Sequence, residues 1–229
     1  MLLRFISFLS LCFIGSSVQQ CLDNDGACAT WVSADRNACT RKEYIKKNCR
    51  KSCNNCPRYE AKFDTRRLPP QLQSISQLVG KWKGEHTGKV MFPTIPTFKY
   101  SETVEISIPD GFNIRSLNYT ATAWASDNED LHKESGYLSV KPNTREVSLT
   151  TVMSNGFITV EEGPLIGNNI KFILKDIGRI SFVRDEHLNN LIREWTLLSS
   201  TQIRARLSIQ TLSHRMQEHT SILYSKVSE

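Results

Sequence analysis

His219, close to the carboxyl end of the chain, is the side chain whose type and position most clearly suggest chemistry. The segment around it alternates with the period of a β-strand. The face of His219 carries Ser221, Leu223, Ser225 and Val227, and the opposite face carries Thr220, Ile222, Tyr224 and Lys226. If this strand closes a barrel, the imidazole points into the interior, where a neutral ring is a good axial ligand for haem iron. An ordinary core or surface histidine is the competing interpretation.

The amino-terminal residues have the composition of a secretory signal peptide. Arg4 supplies a single positive charge, the run FISFLSLCFIG is apolar, and small residues follow from Gly15 to Ser17. We therefore expect residues 1–17 to be cleaved and the product to be secreted into the extracellular space. The apolar run is too short to span a bilayer, so stable membrane insertion is not expected.

The cysteines predict a small disulfide-rich domain at residues 21–56. Seven cysteines are present; Cys12 lies in the signal, and the other six fall between Cys21 and Cys56. An even number in a short exported segment is typical of a disulfide framework, because the secretory pathway oxidises thiols. Six cysteines allow fifteen pairings, and the spacing alone does not choose among them. The sequence CNNC also suits a zinc site, but the even count and the export signal argue against it.

Positive charge is concentrated on this cysteine-rich segment. The whole chain has a formal net charge of +6, and residues 21–56 carry seven basic and four acidic side chains, a net +3. Such a patch favours an anionic partner, for example a channel vestibule, a glycan or a lipid headgroup, although a solvated basic face is the commoner explanation. Nucleic acid is not an expected partner outside the cell.

The rest of the chain predicts an all-β domain, at residues 72–229, joined to the cysteine-rich segment by a linker. Residues 57–71 are polar and contain a proline pair near their end, which is typical of a linker. Leu72, Ile75 and Leu78 then recur at helical spacing. Turn signals follow at Pro109-Asp110-Gly111, Pro142-Asn143, Asn155-Gly156 and Gly167-Asn168-Asn169. Short alternating segments between such turns, without intervening helices, indicate an antiparallel sandwich or barrel.

Two of the alternating segments show which side chains should face the interior. The apolar faces consist of Val104, Ile106 and Ile108 in one segment and of Leu117, Tyr119, Ala121 and Ala123 in the other. Asn118 lies on the opposite, outward face of its strand. It begins the sequence Asn-Tyr-Thr, so it is a candidate glycosylation site.

The cysteine spacing resembles that of the ShKT family. The segments CLDNDGAC, ATWVSADRNAC, TRKEYIKKNC, RKSC and NNC carry the resemblance. It implies the bridges Cys21–Cys56, Cys28–Cys49 and Cys39–Cys53. Channel-blocking toxins of this family place a Lys before a Tyr, whereas Glu43 precedes Tyr44 here. Because an acidic side chain cannot mimic a permeating cation, a docking or spacer module is favoured over potassium-channel block.

The second domain resembles the nitrobindin family, whose members are haem-binding β-barrels distantly akin to lipocalins. The resemblance begins at GKWKGEHTG and FPTIPTFKYSETVEI and continues in order through LHKESGYLSVKPNTREV, NGFITVEEG, GRISFVRDEHLNNLIREW and MQEHTSILY. It implies an all-β fold: an antiparallel, calycin-like barrel of about ten strands. The disulfide-rich domain would precede that barrel.

The nitrobindin resemblance assigns roles to individual residues, and His219 matches the proximal iron ligand. The other matched positions are Gly80, Trp82 and Gly84 in a GxWxGxG motif, Thr94 and Ile95 beside the haem, and Leu131 and His132 on the distal side. His86 replaces the last glycine of the motif, which a slip in register near Gly88 would accommodate. His187 and His214 match no functional position and are expected at the surface.

The same resemblance implies a cofactor and a reaction. The cofactor is ferric haem b, and the expected ligands are nitric oxide and peroxynitrite, the latter isomerised to nitrate. His132 would donate a hydrogen bond to a bound anion, and Leu131 would limit access of water. Two alternatives remain: a non-catalytic carrier of haem or another apolar ligand, and an extracellular binding or channel-modulating protein that acts through its ShKT domain.

Overall fold

The structure is a computed structural model that describes residues 22–55, 60–183 and 185–227. Contacts divide the chain into two compact units, Met1–Arg58 and Tyr59–Glu229. The predicted signal peptide, the predicted Cys21–Cys56 bridge and part of the predicted linker lie outside the described residues. Within the described ranges, none of the helices has the length and apolar character needed to cross a membrane.

The cysteine-rich unit is a set of short helices held by disulfides. Its helices are α1 (Cys28–Ala34), α2 (Ala38–Arg41) and α3 (Glu43–Asn48). The bridges Cys28–Cys49 and Cys39–Cys53 are both present, which confirms two of the three predicted pairs. Among residues 22–55, the buried core consists of Cys28, Ala38, Ile45 and Cys49. Because so small a core cannot stabilise a fold alone, the bridges must supply much of the stability.

The second unit is a closed antiparallel barrel of ten strands, as predicted. The strands are β1 (Gly80–Phe92), β2 (Ile95–Ser107), β3 (Ser116–Ala125), β4 (Asp130–Val140), β5 (Glu146–Met153), β6 (Phe157–Ile166), β7 (Asn169–Arg179), β8 (Leu188–Ser199), β9 (Gln202–Thr211) and β10 (Gln217–Lys226). Each strand pairs with its neighbours in sequence, and β1 pairs with both β2 and β10. Every strand therefore has a partner on both sides, although β7 pairs with β8 only over Asn169–Ile173.

The predicted inward faces are buried. Leu117, Tyr119, Ala121 and Ala123 are all at most 5% exposed, as are Val104, Ile106 and Ile108. Asn118 lies on the outer face and is partly exposed, opposite Ser107 of β2 and Tyr137 of β4. The four predicted turns fall between consecutive strands, except that Asn169 of the last one is the first residue of β7. The alternation of apolar and polar residues therefore predicted correctly which faces of β2 and β3 are buried.

One end of the barrel is closed by a 3-10 helix, Pro70–Leu78, at the position of the predicted helix. Leu72, Ile75 and Leu78 are completely buried in the main core. Trp82, at the start of β1, is 1% exposed, and its indole N–H donates to the carbonyl of Leu78 at 2.8 Å. This hydrogen bond ties the helix to the barrel wall.

Strand β1 contains a bulge where the nitrobindin motif is altered. The pairing shifts between Gly84, opposite Glu102, and Gly88, opposite Tyr100, which is the slip in register expected from the sequence. His86 lies within the shift at φ 54°, in the left-handed region that favours glycine. Its backbone N–H donates to the Ser101 hydroxyl at 2.9 Å. The bulge thus accepts a histidine in a glycine-like conformation.

Candidate functional site

The barrel holds a cavity of about 530 Å³. Strand β1 starts at the closed end and finishes at Phe92, and the cavity reaches the end where Phe92 lies. Thr94 in the β1–β2 turn, Asn155 in the β5–β6 turn and Glu186 in the β7–β8 loop line its outer part. The volume lies within the range of small-molecule and cofactor sites. Because side chains close the other end, the cavity is a cup.

His219 lines this cavity, but the predicted alternation of β10 is wrong. The residues of β10 beyond His219 that line the cavity are Thr220, Ile222 and Tyr224, rather than Ser221 and Leu223. The reason is a bulge: Glu218 pairs with Ser208 and Thr220 with the adjacent Leu207, so His219 is an extra residue. A bulge lets two successive side chains reach the same face. The imidazole therefore enters the cavity although it is out of phase with the strand.

The His219 ring has the properties of a metal ligand. Burial, followed by the charge of His132, lowers its pKa from 6.5, so the ring is neutral at physiological pH. Its Nδ1 is one of two buried side-chain N or O atoms without a hydrogen-bond partner in the described part of the chain. The Phe92 ring contacts it edge-on, with centroids 5.4 Å apart. A neutral imidazole with an unused buried nitrogen beside a cavity fits axial ligation of haem.

Four other predicted site residues line the same cavity. They are Thr94, Ile95, Leu131 and His132. His132 is close enough to His219 for its charge to lower the pKa of that ring. The structure therefore brings the predicted proximal histidine and the predicted distal group into one cavity. Ile95 and Leu131 are 38% and 40% exposed, which places them at the rim.

Gly80, Trp82 and Gly84 lie elsewhere, so the expected cofactor contacts from these three residues are not found in this cavity. Trp82 plugs the closed end, and the Lys226 ammonium lies 5.0 Å from its ring centroid. A Cβ at Gly80 would lie 2.3 Å from Cε of Lys226, and one at Gly84 would lie 2.6 Å from Cδ1 of Ile222. The two glycines therefore permit close packing between β1 and β10.

The other histidines have different surroundings. His86 and His187 are exposed, as expected for His187. His214 was also expected at the surface, but it is half-buried in the β9–β10 loop. Its ring centroid lies 5.3 Å from that of Phe92, and its Nδ1 is 2.6 Å from the Ser213 hydroxyl. Packing against Phe92 draws the ring in from solvent.

Sequence reasoning missed a buried ionic network on the cavity wall. Arg193 of β8 is 7% exposed and forms two hydrogen bonds with Glu134 of β4, at 3.1 and 3.2 Å. It also binds Glu161 of β6, at 3.0 and 3.3 Å. Burial alone would raise the pKa of Glu134, but the charges of Arg193 and His132 outweigh it and hold the pKa at about 2. The alternation of Leu191, Arg193 and Trp195 in β8 was the available signal.

A third acidic group, Glu102, behaves differently. It lines the cavity, is 8% exposed, and accepts a hydrogen bond from the Tyr224 hydroxyl at 2.7 Å. Burial raises its pKa to about 7, against the opposing effect of the Tyr224 hydrogen bond. The cavity wall thus combines an ionised carboxylate, Glu134, with a carboxyl group that holds a proton near neutral pH.

Comparison with known proteins identifies the family of the barrel. Residues 71–226 match the family described as "THAP4-like, heme-binding beta-barrel domain". The Caenorhabditis elegans protein C28H8.5 is 39% identical over 97% of this chain and 78% of its own length. Peroxynitrite isomerase THAP4 of Rattus norvegicus is 30% identical over 70% of this chain but only 28% of its own length.

A solved structure supports the same assignment. The crystal structure of Rv2717c from M. tuberculosis is similar with a TM-score of 0.61 and 26% identity, covering 70% of this chain and 99% of that one. The family match at residues 71–226 covers the barrel, in which the cavity and His219 lie. The chain therefore belongs to the THAP4-like, heme-binding beta-barrel family.

Proposed function

We propose that this protein is a secreted ferric-haem-binding protein that binds nitric oxide and isomerises peroxynitrite to nitrate. One observation carries the proposal: His219, a neutral imidazole with a buried unpaired nitrogen, lines a cavity that His132 also lines. Relatives named peroxynitrite isomerase supply the reaction class. The match covers only 28% of the length of the Rattus norvegicus relative, so the activity is brought to this chain as a proposal.

Five residues that line the cavity have specific roles in this mechanism. Ferric haem, when bound, supplies a Lewis acid for a peroxo anion and a binding site for a diatomic ligand. His219 holds the metal, and its lowered pKa keeps the ring available as a ligand. Thr94 and Ile95 seat the cofactor at the rim. His132 donates a hydrogen bond to the anionic ligand, and Leu131 limits the entry of water.

Secretion is part of the proposal and has separate support. The first 17 residues have the composition of a signal peptide, and the bridges Cys28–Cys49 and Cys39–Cys53 are typical of an oxidising compartment. These two bridges have the pairing implied by the ShKT resemblance. The cysteine-rich unit would then be a docking module for an extracellular partner, and its net charge of +3 favours an anionic one.

Peroxynitrite decay in the presence of the hemin-loaded protein tests the proposed reaction. We expect faster decay than with the haem-free protein, with nitrate as the product and less nitration of an added phenol. If loaded and haem-free protein give the same decay rate, the reaction is wrong. The alternative of a haem carrier without turnover, which the cup-shaped cavity also suits, would then be preferred.

A further inference from the structure

The buried network around Arg193 ends at a cavity histidine. Glu134 lies two residues after His132 on β4, so both side chains point to the inside of the barrel. The His132 Nε2 lies 3.7 Å from Glu134 Oε1, within ion-pair distance. This contact with Glu134 is the one ion pair of the His132 ring among the described residues. Glu134 is thus the side chain that can orient this ring.

Glu134 is itself held firmly. Both of its oxygens accept from Arg193, whose other N–H groups donate to Glu161 and to the Tyr119 hydroxyl. The Thr159 hydroxyl donates to Glu161 at 2.9 Å. These residues come from β4, β6 and β8, so three strands fix one carboxylate. A bidentate arginine–carboxylate pair has a defined geometry, which suits it to act as an anchor.

The network has more acidic than basic side chains, and His132 lies beside this excess of negative charge. Two carboxylates, Glu134 and Glu161, face one guanidinium, Arg193. Buried charges of one sign are expensive unless a partner of the other sign is near. His132 is the nearby group that can supply positive charge or an N–H donor. A protonated ring donates from both nitrogens, so with Nε2 directed at Glu134 its Nδ1–H can donate to an anion in the cavity.

We propose that Glu134, anchored by Arg193, is a positioning residue that orients the His132 ring toward a small anion bound in the cavity. The proposal rests on the proposed function, because it assumes that the anion binds on the His132 side. It adds the residue that orients His132 as a hydrogen-bond donor to the bound anion. A network that only holds the barrel together would have no effect on the His132 ring.

Nitrogen-15 NMR of the histidine rings in the haem-free, full-length protein tests the positioning step directly. Ring nitrogen shifts report which nitrogen carries the proton. We expect Glu134→Gln to change the His132 ring shifts and Glu162→Gln to leave them unchanged, since Glu162 lies on the outer face of β6 next to Glu161. Unchanged His132 shifts in Glu134→Gln would overturn the proposal, whether or not the protein binds haem.

Azide binding to the hemin-loaded protein tests the consequence. We expect Glu134→Gln and His132→Gln each to weaken azide binding by about tenfold, the usual effect of losing one charge-assisted hydrogen bond. Because Glu134 acts through His132, the double variant should bind azide about as weakly as either single one. Additive losses would contradict the proposal.

A second variant, Glu134→Asp, is used in case Glu134→Gln does not fold. Glu134→Asp keeps the charge opposite Arg193 but withdraws the carboxylate from His132. We expect it to fold and to alter the His132 ring shifts in the same way as Glu134→Gln. If instead it leaves the shifts as in the wild type, Glu134 is only a structural partner of Arg193. If hemin fails to bind to the wild type, the proposed function fails, while the NMR result still decides whether Glu134 orients the His132 ring.

Discussion

At the scale of single residues, the cavity contains ionisable groups in contrasting states. His219 is kept neutral by burial, Glu134 is kept ionised by Arg193, and Glu102 is kept protonated up to about neutral pH. Each state follows from whether burial or a nearby opposite charge dominates. The cavity is therefore prepared to hold a metal on one side and to offer hydrogen bonds on another.

Glu102 gives a prediction about the pH dependence of stability. Its folded-state pKa, about 7, lies above the ordinary value of 4.5, so the stability it contributes is fully present below pH 4.5 and is lost as the pH rises through about 7. Glu102→Gln removes this titration and keeps an acceptor for the Tyr224 hydroxyl. We expect the free energy of unfolding of the wild type to fall relative to this variant, by up to about 3 kcal/mol above neutral pH.

Urea unfolding across this pH range measures the difference. Glu162→Gln, which changes a partly exposed side chain on the outer face, is the control and should follow the wild type. If the free energy of unfolding has the same pH dependence in the wild type and in Glu102→Gln, then Glu102 ionises normally in the folded protein.

The residues of the cavity were predictable in part. His219, His132, Leu131, Thr94 and Ile95 were found because they occur in order in segments that resemble a known family. Arg193, Glu134 and Glu161 were missed because a charged residue in an alternating strand is normally interpreted as outward-facing. Only the assembled barrel brings the three strands together and allows their charges to satisfy one another inside.

At the scale of elements, bulges decide where the functional side chains point. The bulge before Thr220 directs His219 into the cavity, and alternation alone assigned the wrong partners to its face. No residue type in QEHTSIL marks that extra residue, so the sequence could not predict it. By contrast, β2 and β3 pair without any shift, and their buried faces were predicted correctly. Regular strands are predictable from period, and bulged strands are not.

The closed end of the barrel gives a second prediction. Trp82→Phe keeps an aromatic ring in the core but leaves the Leu78 carbonyl without its donor. We expect the free energy of unfolding to fall by about 1–3 kcal/mol, the cost of a buried unpaired carbonyl. Because Trp82 does not line the cavity, hemin affinity should stay within about twofold of the wild type.

Chemical unfolding and a hemin titration of the same Trp82→Phe preparation separate the two effects. A large loss of hemin affinity without a loss of stability would mean that Trp82 contacts the cofactor after all.

At the scale of the whole molecule, the two units depend on different sources of stability. The barrel has one large continuous core, whereas the cysteine-rich unit has four buried core residues and its bridges. The boundary between the units falls at residue 58, and two segments of the predicted linker, Ala61–Phe63 and Thr65–Arg67, form 3-10 helices within the barrel unit. The bridge pairing Cys28–Cys49 and Cys39–Cys53 came from the family resemblance, because spacing alone leaves every pairing open.

Removing one bridge tests this division. In a Cys28→Ser, Cys49→Ser variant, we expect the cysteine-rich unit to lose 2–5 kcal/mol, about the usual contribution of such a bridge, and to unfold. The barrel should keep its amide NMR spectrum and its hemin affinity. Reduction of the wild type with dithiothreitol should likewise unfold the cysteine-rich unit and leave the barrel folded. If the amide signals of both units are lost together, the barrel needs the disulfides.

The central claim is that His219 binds haem iron inside the barrel, and an absorption titration of the full-length protein with hemin tests it most directly. We expect a Soret band of a bound haem in the wild type and in His187→Ala, which changes an exposed histidine. We expect this band to be lost in His219→Ala. An unchanged Soret band in His219→Ala, or no bound haem in the wild type, would contradict the account.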